Sequence, residues 1–294
     1  MKTIIVALAL TLAAPAVLAR PDPEQRMKTS LISRHDLAYG FTHIDLDSAD
    51  GQRHYRLWIG IPKRPAPAMG YPVLWMLDGN AALGALDGPH LAALAAGQAP
   101  VLVAVGYPSL QRIERTARTF DYTPTVPGLS EQRDPLTGEP SGGVDRFLDL
   151  LTGPMHDRVA AIVPIDRQRQ TLWGHSYGGL AVLHALFTRP GRFSDFAVAS
   201  PSLWWHDGAI IREAQGMSPA LGSSRPRVLL MRGSEEPSSP RGAVAGGAER
   251  PLRELAAALR QVEGVSVQVD RFEGLGHGPM LAASLQRVID RLSR

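Results

Sequence analysis

Residues 174–178 carry the clearest chemical signal in the sequence. They read Gly174-His175-Ser176-Tyr177-Gly178 and match the pattern G-x-S-x-G, which forms a sharp turn between a strand and a helix and exposes a serine hydroxyl. We expect the glycines two residues before and after Ser176 to be required, because side chains there would collide in so tight a turn. We therefore predict that Ser176 is a catalytic nucleophile; the alternative is that this short pattern arose by chance.

A serine hydroxyl is a poor nucleophile at neutral pH and needs a base, commonly a histidine that a carboxylate orients. Of the 9 histidines, His277 alone lies on a glycine-rich loop between the last predicted strand and the last predicted helix. A ring on that loop can turn back over Ser176. We predict that His277 is the base, with a solvated loop histidine as the alternative, and that His175 packs beside the nucleophile or lines its pocket.

The candidates for the acid are Glu235 and Glu236, which follow a predicted strand that ends at Gly233. In enzymes with a strand–serine–helix turn of this type, the catalytic residues follow in the chain order serine, acid, histidine. In doubly wound sheets with such a serine turn, the loop that carries the acid tends to place the carboxylate three residues after the glycine that ends the strand. This spacing favours Glu236, with Glu235 as the second choice and an ordinary charged loop as the alternative to both.

Ester hydrolysis also needs hydrogen-bond donors aimed at the oxyanion that develops during attack. The backbone N–H of Tyr177 follows the nucleophile directly, and a second donor is expected on the loop after an earlier central strand. That loop reads Asp78-Gly79-Asn80, so we predict the donor at Gly79 or, as a second choice, at Asn80. The same composition also fits a simple turn.

The elements that must position these residues alternate between strands and helices. Predicted strands cover Phe41–Asp47, His54–Pro62, Pro72–Leu77, Pro100–Gly106, Gln170–Trp173, Asp195–Ser200, Arg227–Arg232 and Val265–Val269. Predicted helices cover Ala81–Ala96 with an interruption near Gly88, Val144–Val163 with a break at Gly153-Pro154, Gly178–Phe187, Pro251–Val262 and Pro279–Leu292. This alternation predicts a mostly parallel, doubly wound α/β sheet with antiparallel N-terminal strands and helices on both faces. With the serine turn and the chain order serine, acid, histidine, the expected fold is the α/β-hydrolase fold.

One stretch breaks the alternation. Residues 108–142 are rich in proline, glycine and arginine and show no period. A stretch of this length without regular structure commonly lies beside or over a site, and an irregular surface connection is the alternative. We otherwise predict a single domain over residues 20–294.

The first 19 residues have the features of a secretory signal peptide: a basic start, a short apolar run and a small residue, Ala19, before a polar flank. We predict cleavage after Ala19, export to the periplasm and no stable membrane insertion afterwards. The sequence has no cysteine, which excludes disulfides and thiolate metal sites. A net charge of +3 is too small to favour nucleic-acid binding. We predict neither a metal site nor a cofactor.

Six blocks, in the same order along the chain, resemble the family of enterochelin, salmochelin and bacillibactin esterases. They are Leu77–Asn80, Arg118–Pro124, Gly142–Leu148, Gly174–Leu180, Ser200–Trp205 and Gly276–Met280. The resemblance implies a serine esterase that cuts ester bonds of a catecholate siderophore, as the cyclic trilactone or a linear form, with or without iron. By this resemblance Ser176 and His277 are the family's catalytic pair.

The resemblance also implies substrate contacts. Arg118 could bind anionic catecholate oxygens through its planar guanidinium, or it could form a salt bridge with Asp121. Trp204 and Trp205 are candidates for the pocket wall, with core packing as the alternative. Other functions consistent with the sequence are a general carboxylesterase or acyltransferase, and a non-catalytic periplasmic protein that binds siderophores.

Overall fold

A computed structural model describes residues 22, 24–214, 221–240 and 249–294. Within these ranges, strands form an eight-stranded sheet in the order β1-β2-β4-β3-β5-β6-β7-β8. Their bounds are β1 Tyr39–Asp47, β2 His54–Pro62, β3 Tyr71–Met76, β4 Val101–Gly106, β5 Ile165–His175, β6 Asp195–Ala199, β7 Arg227–Gly233 and β8 Ser266–Phe272. β1 and β2 pair antiparallel with their neighbours, and β3 to β8 run parallel.

The strand order reverses at β3, which has β4 on one side and β5 on the other. In sheets of this type a crevice opens at the carboxyl ends of the strands on either side of such a reversal. β3 and β4 are buried along their whole length, as their continuous apolar sequences predict. The fold therefore provides a buried, rigid base for a site at the ends of β3 and β5.

Helices cover both faces of the sheet. Their bounds are α1 Gly79–Leu83, α2 Gly88–Ala96, α3 Arg115–Asp121, α4 Val144–Leu150, α5 His156–Ile162, α6 Tyr177–Thr188, α7 Ala209–Glu213, α8 Arg250–Arg260 and α9 Met280–Leu292. Apolar clusters fill the space between the helices and each face of the sheet. α6 is the most central helix, because Tyr177 to Phe187 are all buried.

The structure changes two of the predicted boundaries and confirms a third. The stretch 108–142 is not irregular throughout, since it contains helix α3. The predicted interruption near Gly88 is present: α2 starts after Asp87, whose side chain accepts a hydrogen bond from the backbone N–H of His90 at 2.9 Å. The predicted break at Gly153-Pro154 is instead a π-helical turn that joins α4 to α5; the wider turn accommodates a proline that lacks an N–H.

The segment before β1 is fixed to the loop that follows β4. Arg26 pairs with Gln111 in an antiparallel bridge, the N–H of Met27 donates to the carbonyl of Leu110 at 2.8 Å, and the N–H of Arg112 donates to the carbonyl of Gln25 at 2.8 Å. The predicted signal peptide lies outside the described residues. Among the helices that the structure describes, none is long and apolar enough to span a membrane.

Candidate active site

Ser176 lies in the sharp turn between β5 and α6. Its backbone has φ 61° and ψ −116°, a conformation that costs free energy for a residue with a side chain. Its N–H donates to the carbonyl of Ala199 at 3.0 Å, which ties the turn to β6. A Cβ at Gly174 would lie 2.4 Å from the carbonyl oxygen of Gly178, so this glycine is required, as predicted.

The prediction for the second glycine was wrong. A Cβ at Gly178 would make only ordinary contacts, at 3.5 Å. The crowded position is the next one, Gly179, where a Cβ would lie 2.8 Å from the carbonyl oxygen of Ala199. The turn therefore needs small residues at the end of β5 and in the first turn of α6, because both pack directly on backbone.

The structure brings Ser176, His277 and Glu236 into one hydrogen-bonded row. His277 Nε2 lies 3.0 Å from Ser176 Oγ, and His277 Nδ1 lies 2.9 Å from Glu236 Oε2. Because a carboxylate only accepts hydrogen bonds, the proton is on Nδ1, and Nε2 can accept the serine proton. Glu235 is exposed and makes no hydrogen bond to His277 among the described residues. The geometry thus fits the first choice of acid.

Glu236 is held in place by groups at the ends of two strands, β6 and β7. Its Oε1 accepts hydrogen bonds from Ser200 Oγ and from the N–H of Gly233, both at 2.6 Å. Arg232 Nη2 donates to the carbonyls of Glu236 and Pro237 at 3.1 and 2.8 Å, and Arg232 Nη1 lies 4.0 Å from Glu236 Oε2. These donors fix both the loop and the carboxylate.

The same neighbours determine the charge of Glu236. Burial alone would raise its pKa, but the hydrogen bond and charge of His277, followed by the hydrogen bonds from Ser200 and Gly233, outweigh burial and lower the pKa. Glu236 is therefore ionised at neutral pH and can stabilise a protonated His277 during attack. Sequence reasoning missed Ser200 and Arg232. An arginine within the apolar strand β7 was the one available signal for the latter.

His175 fixes the backbone of the catalytic histidine. Its Nε2–H donates to the carbonyl of His277 at 3.0 Å, and the two rings lie 4.7 Å apart. Burial, followed by the nearby charges of His277 and Arg118, lowers the pKa of His175 well below its ordinary value. His175 therefore stays neutral, and it both packs beside the nucleophile and lines the cleft.

The predicted oxyanion donors lie at two helix starts. Tyr177 is the first residue of α6, and the backbone N–H groups of a first helical turn point toward the helix N-terminus. Gly79 is the first residue of α1, and a Cβ there would lie 2.5 Å from the backbone of Ala104. Asn80 uses its side chain to hold the loop after β4, donating to three carbonyls. The roles of Gly79 and Tyr177 stay predictions.

A cleft of about 700 Å³ opens over the catalytic row, a volume within the usual range for small-molecule sites. It is lined by residues from several strand ends and by part of the stretch 108–142, including Asp78, Arg112, Arg115, Arg118, Leu136, Trp204 and Arg232. Within the described ranges, no group of three or more His, Cys, Asp or Glu side chains is arranged to hold a metal ion.

Arg118 is already paired, but not with the predicted partner. Its Nε and Nη2 bind both carboxylate oxygens of Asp78 at 2.7 and 2.8 Å. Asp121 instead accepts hydrogen bonds from the hydroxyls of Tyr55 and Tyr107, so the predicted salt bridge between Arg118 and Asp121 was wrong. Because Asp78 neutralises the guanidinium, Arg118 enters the cleft as half of an ion pair.

The two tryptophans have different positions. Trp204 is half-buried and lines the cleft, in contact with Tyr177. Trp205 is completely buried, and its Nε1–H donates to Asp134 Oδ2 at 2.9 Å, so the prediction of a pocket wall was wrong for Trp205. Asp134 also accepts from the hydroxyl of Tyr177 at 2.7 Å. Sequence reasoning missed this aspartate, which anchors the loop to α6.

Comparison with known proteins identifies the family. The sequence profile of the Esterase family matches residues 48–266. This chain belongs to the Esterase family. The esterase is 36% identical over 276 residues to the apo-salmochelin esterase of Escherichia coli O6:H1, across 93% of this chain and 85% of the relative. It is 29% identical over 255 residues to the ferri-bacillibactin esterase BesA of Bacillus subtilis, across 83% of this chain and 86% of the relative.

Solved structures give the same result. The enterobactin hydrolase IroE in complex with DFP superposes on the esterase with a TM-score of 0.73 at 36% identity, covering 87% of this chain and 95% of IroE. The BES protein from Bacillus cereus gives a TM-score of 0.72 at 26% identity, covering 86% of this chain and 95% of the other. The predicted α/β-hydrolase fold and the predicted carboxylic-ester hydrolase class are confirmed.

Proposed function

We propose that this esterase hydrolyses ester bonds of a catecholate siderophore, in its cyclic trilactone form or a linear form. The observation that carries the proposal is the row of Ser176, His277 and Glu236 opening onto a cleft of about 700 Å³. Support for the substrate class comes from two relatives whose names specify salmochelin and bacillibactin. The match covers 85% and 86% of the lengths of these two relatives, so the similarity extends well beyond the serine motif.

The geometry performs ester cleavage in two stages. Ser176 Oγ attacks the ester carbonyl while its proton passes to His277 Nε2, and backbone N–H groups at the start of α6 stabilise the oxyanion. The tetrahedral species collapses, the C–O bond of the ester breaks, and Nε2–H protonates the departing alkoxide. Water then attacks the acyl-enzyme by the same route, with His277 as base and then as acid, and releases the acid and free Ser176.

We also propose that the mature protein works in the periplasm. The support is the sequence pattern of residues 1–19, which is that of a secretory signal peptide. N-terminal sequencing of protein recovered from the periplasmic fraction tests this proposal. A retained Met1, or recovery only from the cytoplasm, would contradict it.

The test of the activity compares four substrates: the ferric and iron-free forms of a catecholate trilactone, and two simple aryl esters. Products are followed by mass spectrometry for the wild type and for Ser176→Ala. We expect stepwise opening of the trilactone and a loss on the order of 10⁴-fold or more in Ser176→Ala, because the whole catalytic unit depends on the nucleophile. Ser33→Ala, at an exposed serine on the surface, is the matched control.

Two outcomes would overturn these assignments. A wild-type enzyme that prefers the aryl esters to both trilactone forms is a general carboxylesterase. A Ser176→Ala variant that keeps full turnover would exclude Ser176 as the nucleophile.

A further inference from the structure

We propose that Arg112 and Arg115 form an anion-binding subsite that makes this esterase prefer the iron-loaded siderophore over the iron-free one. This inference rests on the proposed function and specifies the form of its substrate. It follows from a difference among the four arginines that line the cleft in the described part of the chain: two are neutralised by other described residues and two are not.

Arg118 and Arg232 are the neutralised pair. Arg118 binds Asp78 through two hydrogen bonds. Arg232 is buried, donates to two carbonyls and lies 4.0 Å from Glu236. A buried guanidinium with these partners holds the protein together, and its charge is already balanced within the site.

Arg112 and Arg115 line the same cleft and are half-buried. Within the described residues, neither guanidinium forms an ion pair or a side-chain hydrogen bond. Asp22 and Glu235 also line the cleft, but neither is in ion-pair contact with these arginines. A partly desolvated cation without a partner is an attractive site for an anionic ligand, because the ligand gains a charge-assisted hydrogen bond and separates no existing pair.

The loop that carries Arg112 is held before substrate arrives. The Arg112 N–H donates to the carbonyl of Gln25 at 2.8 Å, and Asn80 Nδ2 donates to the carbonyls of Ser109 and Gln111 at 2.9 and 3.0 Å. Arg115 is fixed as the first residue of α3. Rigid placement reduces the entropy lost on binding. The charge of Arg112 also reaches the catalytic centre, since it contributes to the lowered pKa of His175.

The iron-loaded and iron-free forms of the siderophore differ mainly in net charge. A free catechol keeps its phenolic protons at neutral pH, as a tyrosine does. Binding to a ferric ion removes both protons from each ring, so an iron bound by three catecholates carries three net negative charges. Two unpaired guanidinium groups therefore distinguish the forms by electrostatics, even where the ester bonds are the same.

The test measures kcat/KM for ferric and iron-free trilactone with the wild type, Arg112→Gln, Arg115→Gln and the double variant, at low and high salt. Glutamine keeps polarity and most of the length while it removes the charge. We expect each substitution to lower the ferric to iron-free ratio of kcat/KM about tenfold, the size expected for a charged hydrogen bond. Salt should lower the wild-type ratio and affect the double variant less.

Arg253→Gln is the matched control, because Arg253 is an exposed arginine on α8 and should leave the ratio unchanged. Arg112→Lys, which restores the charge without the planar fork, should recover part of the ratio. An unchanged ratio in the double variant, with both forms still cleaved by the wild type, would overturn the subsite alone. Failure of the wild type to cleave either form would instead overturn the proposed function.

Discussion

Glu236 and Asp121 are both almost completely buried, at 4% and 0% exposure, and both accept hydrogen bonds from neighbouring side chains. Glu236 accepts from His277, Ser200 and the backbone of Gly233, and its pKa is lowered. Asp121 accepts from the hydroxyls of Tyr55 and Tyr107 at 3.1 and 3.0 Å. Burial raises the pKa of Asp121 to about 7, and its hydrogen bonds offset that only in part.

The difference lies in the kind of donor that each carboxylate contacts. The imidazole of His277 can take up a proton and become the counterion of Glu236, whereas a tyrosine hydroxyl stays neutral. Arg53 is the cation near Asp121, with Nε 3.7 Å from Oδ1, and no hydrogen bond joins the two. Two similarly buried acids therefore differ in charge near neutral pH. The protein keeps the ionised one for catalysis and uses the other to join β2 to α3.

The largest expected effect comes from removing the charge of Glu236. Glu236→Gln keeps an acceptor for His277 Nδ1–H but cannot balance a protonated imidazole. We expect kcat to fall by roughly 10² to 10⁴-fold with KM little changed, as for other catalytic triads. Glu235→Gln, at the exposed neighbouring position, is the matched control and should remain near wild type. Equal losses in the two variants would show that the loop, and not the buried charge, is responsible.

Asp121→Asn should change how stability depends on pH. Because the folded pKa of Asp121, about 7, lies above the ordinary aspartate pKa of 3.8, the folded protein retains a proton that the unfolded chain has lost between these values. The contribution of Asp121 to the free energy of unfolding therefore decreases as pH rises between these two pKa values, by at most about 1.4 kcal/mol per pH unit. The variant should show a flatter profile in urea unfolding from pH 4 to 8. Parallel wild-type and variant profiles would contradict the raised pKa.

Removing the guanidinium beside Glu236 tests whether Arg232 positions the acid. Arg232→Met loses the donors to the carbonyls of Glu236 and Pro237. We expect kcat to fall about tenfold, the cost of one charged hydrogen bond, with KM nearly constant. Arg232→Lys keeps the charge but cannot bridge both carbonyls and should recover only part of the loss. If KM rises in step with the fall in kcat/KM, Arg232 contacts substrate instead.

The smallest effect is expected from Ser200→Ala, which deletes a single hydrogen bond to Glu236 Oε1. Loss of this donor should raise the pKa of Glu236 toward its ordinary value. We expect a loss of about two- to fivefold near pH 5 and a smaller one at pH 8, in line with a net hydrogen-bond energy of about 1 kcal/mol. A loss of equal size at all pH values would indicate displaced backbone and not a changed charge.

The catalytic row could be predicted because its signals are local. Ser176 lies in a five-residue pattern, His277 lies on a glycine-rich loop, and Glu236 follows a glycine at a fixed spacing. The alternation of strands and helices likewise predicted the parallel sheet. Each catalytic residue was indicated by its immediate neighbours, and the chain order serine, acid, histidine supported the choice.

What could not be predicted depends on residues far apart in sequence. Arg118 meets Asp78 across 40 positions, and Trp205 meets Asp134 across 71. These pairings follow from how loops pack over the ends of β3 and β6, which periodicity does not specify. The same limit explains why the sequence did not reveal Asp78 as the partner of Arg118 and why Arg112 went unnoticed.

The attachment of the segment around Gln25 to the cleft loop has a practical consequence for handling the protein. Asp22 and Gln25 line the active-site cleft, so we expect an affinity tag fused immediately before them to obstruct the entrance of the cleft. Helix α9 has 13 residues and leads about 20 Å away from the His277 loop. A tag appended after Arg294 should leave the entrance open, and kinetic work on large substrates is best done with that arrangement.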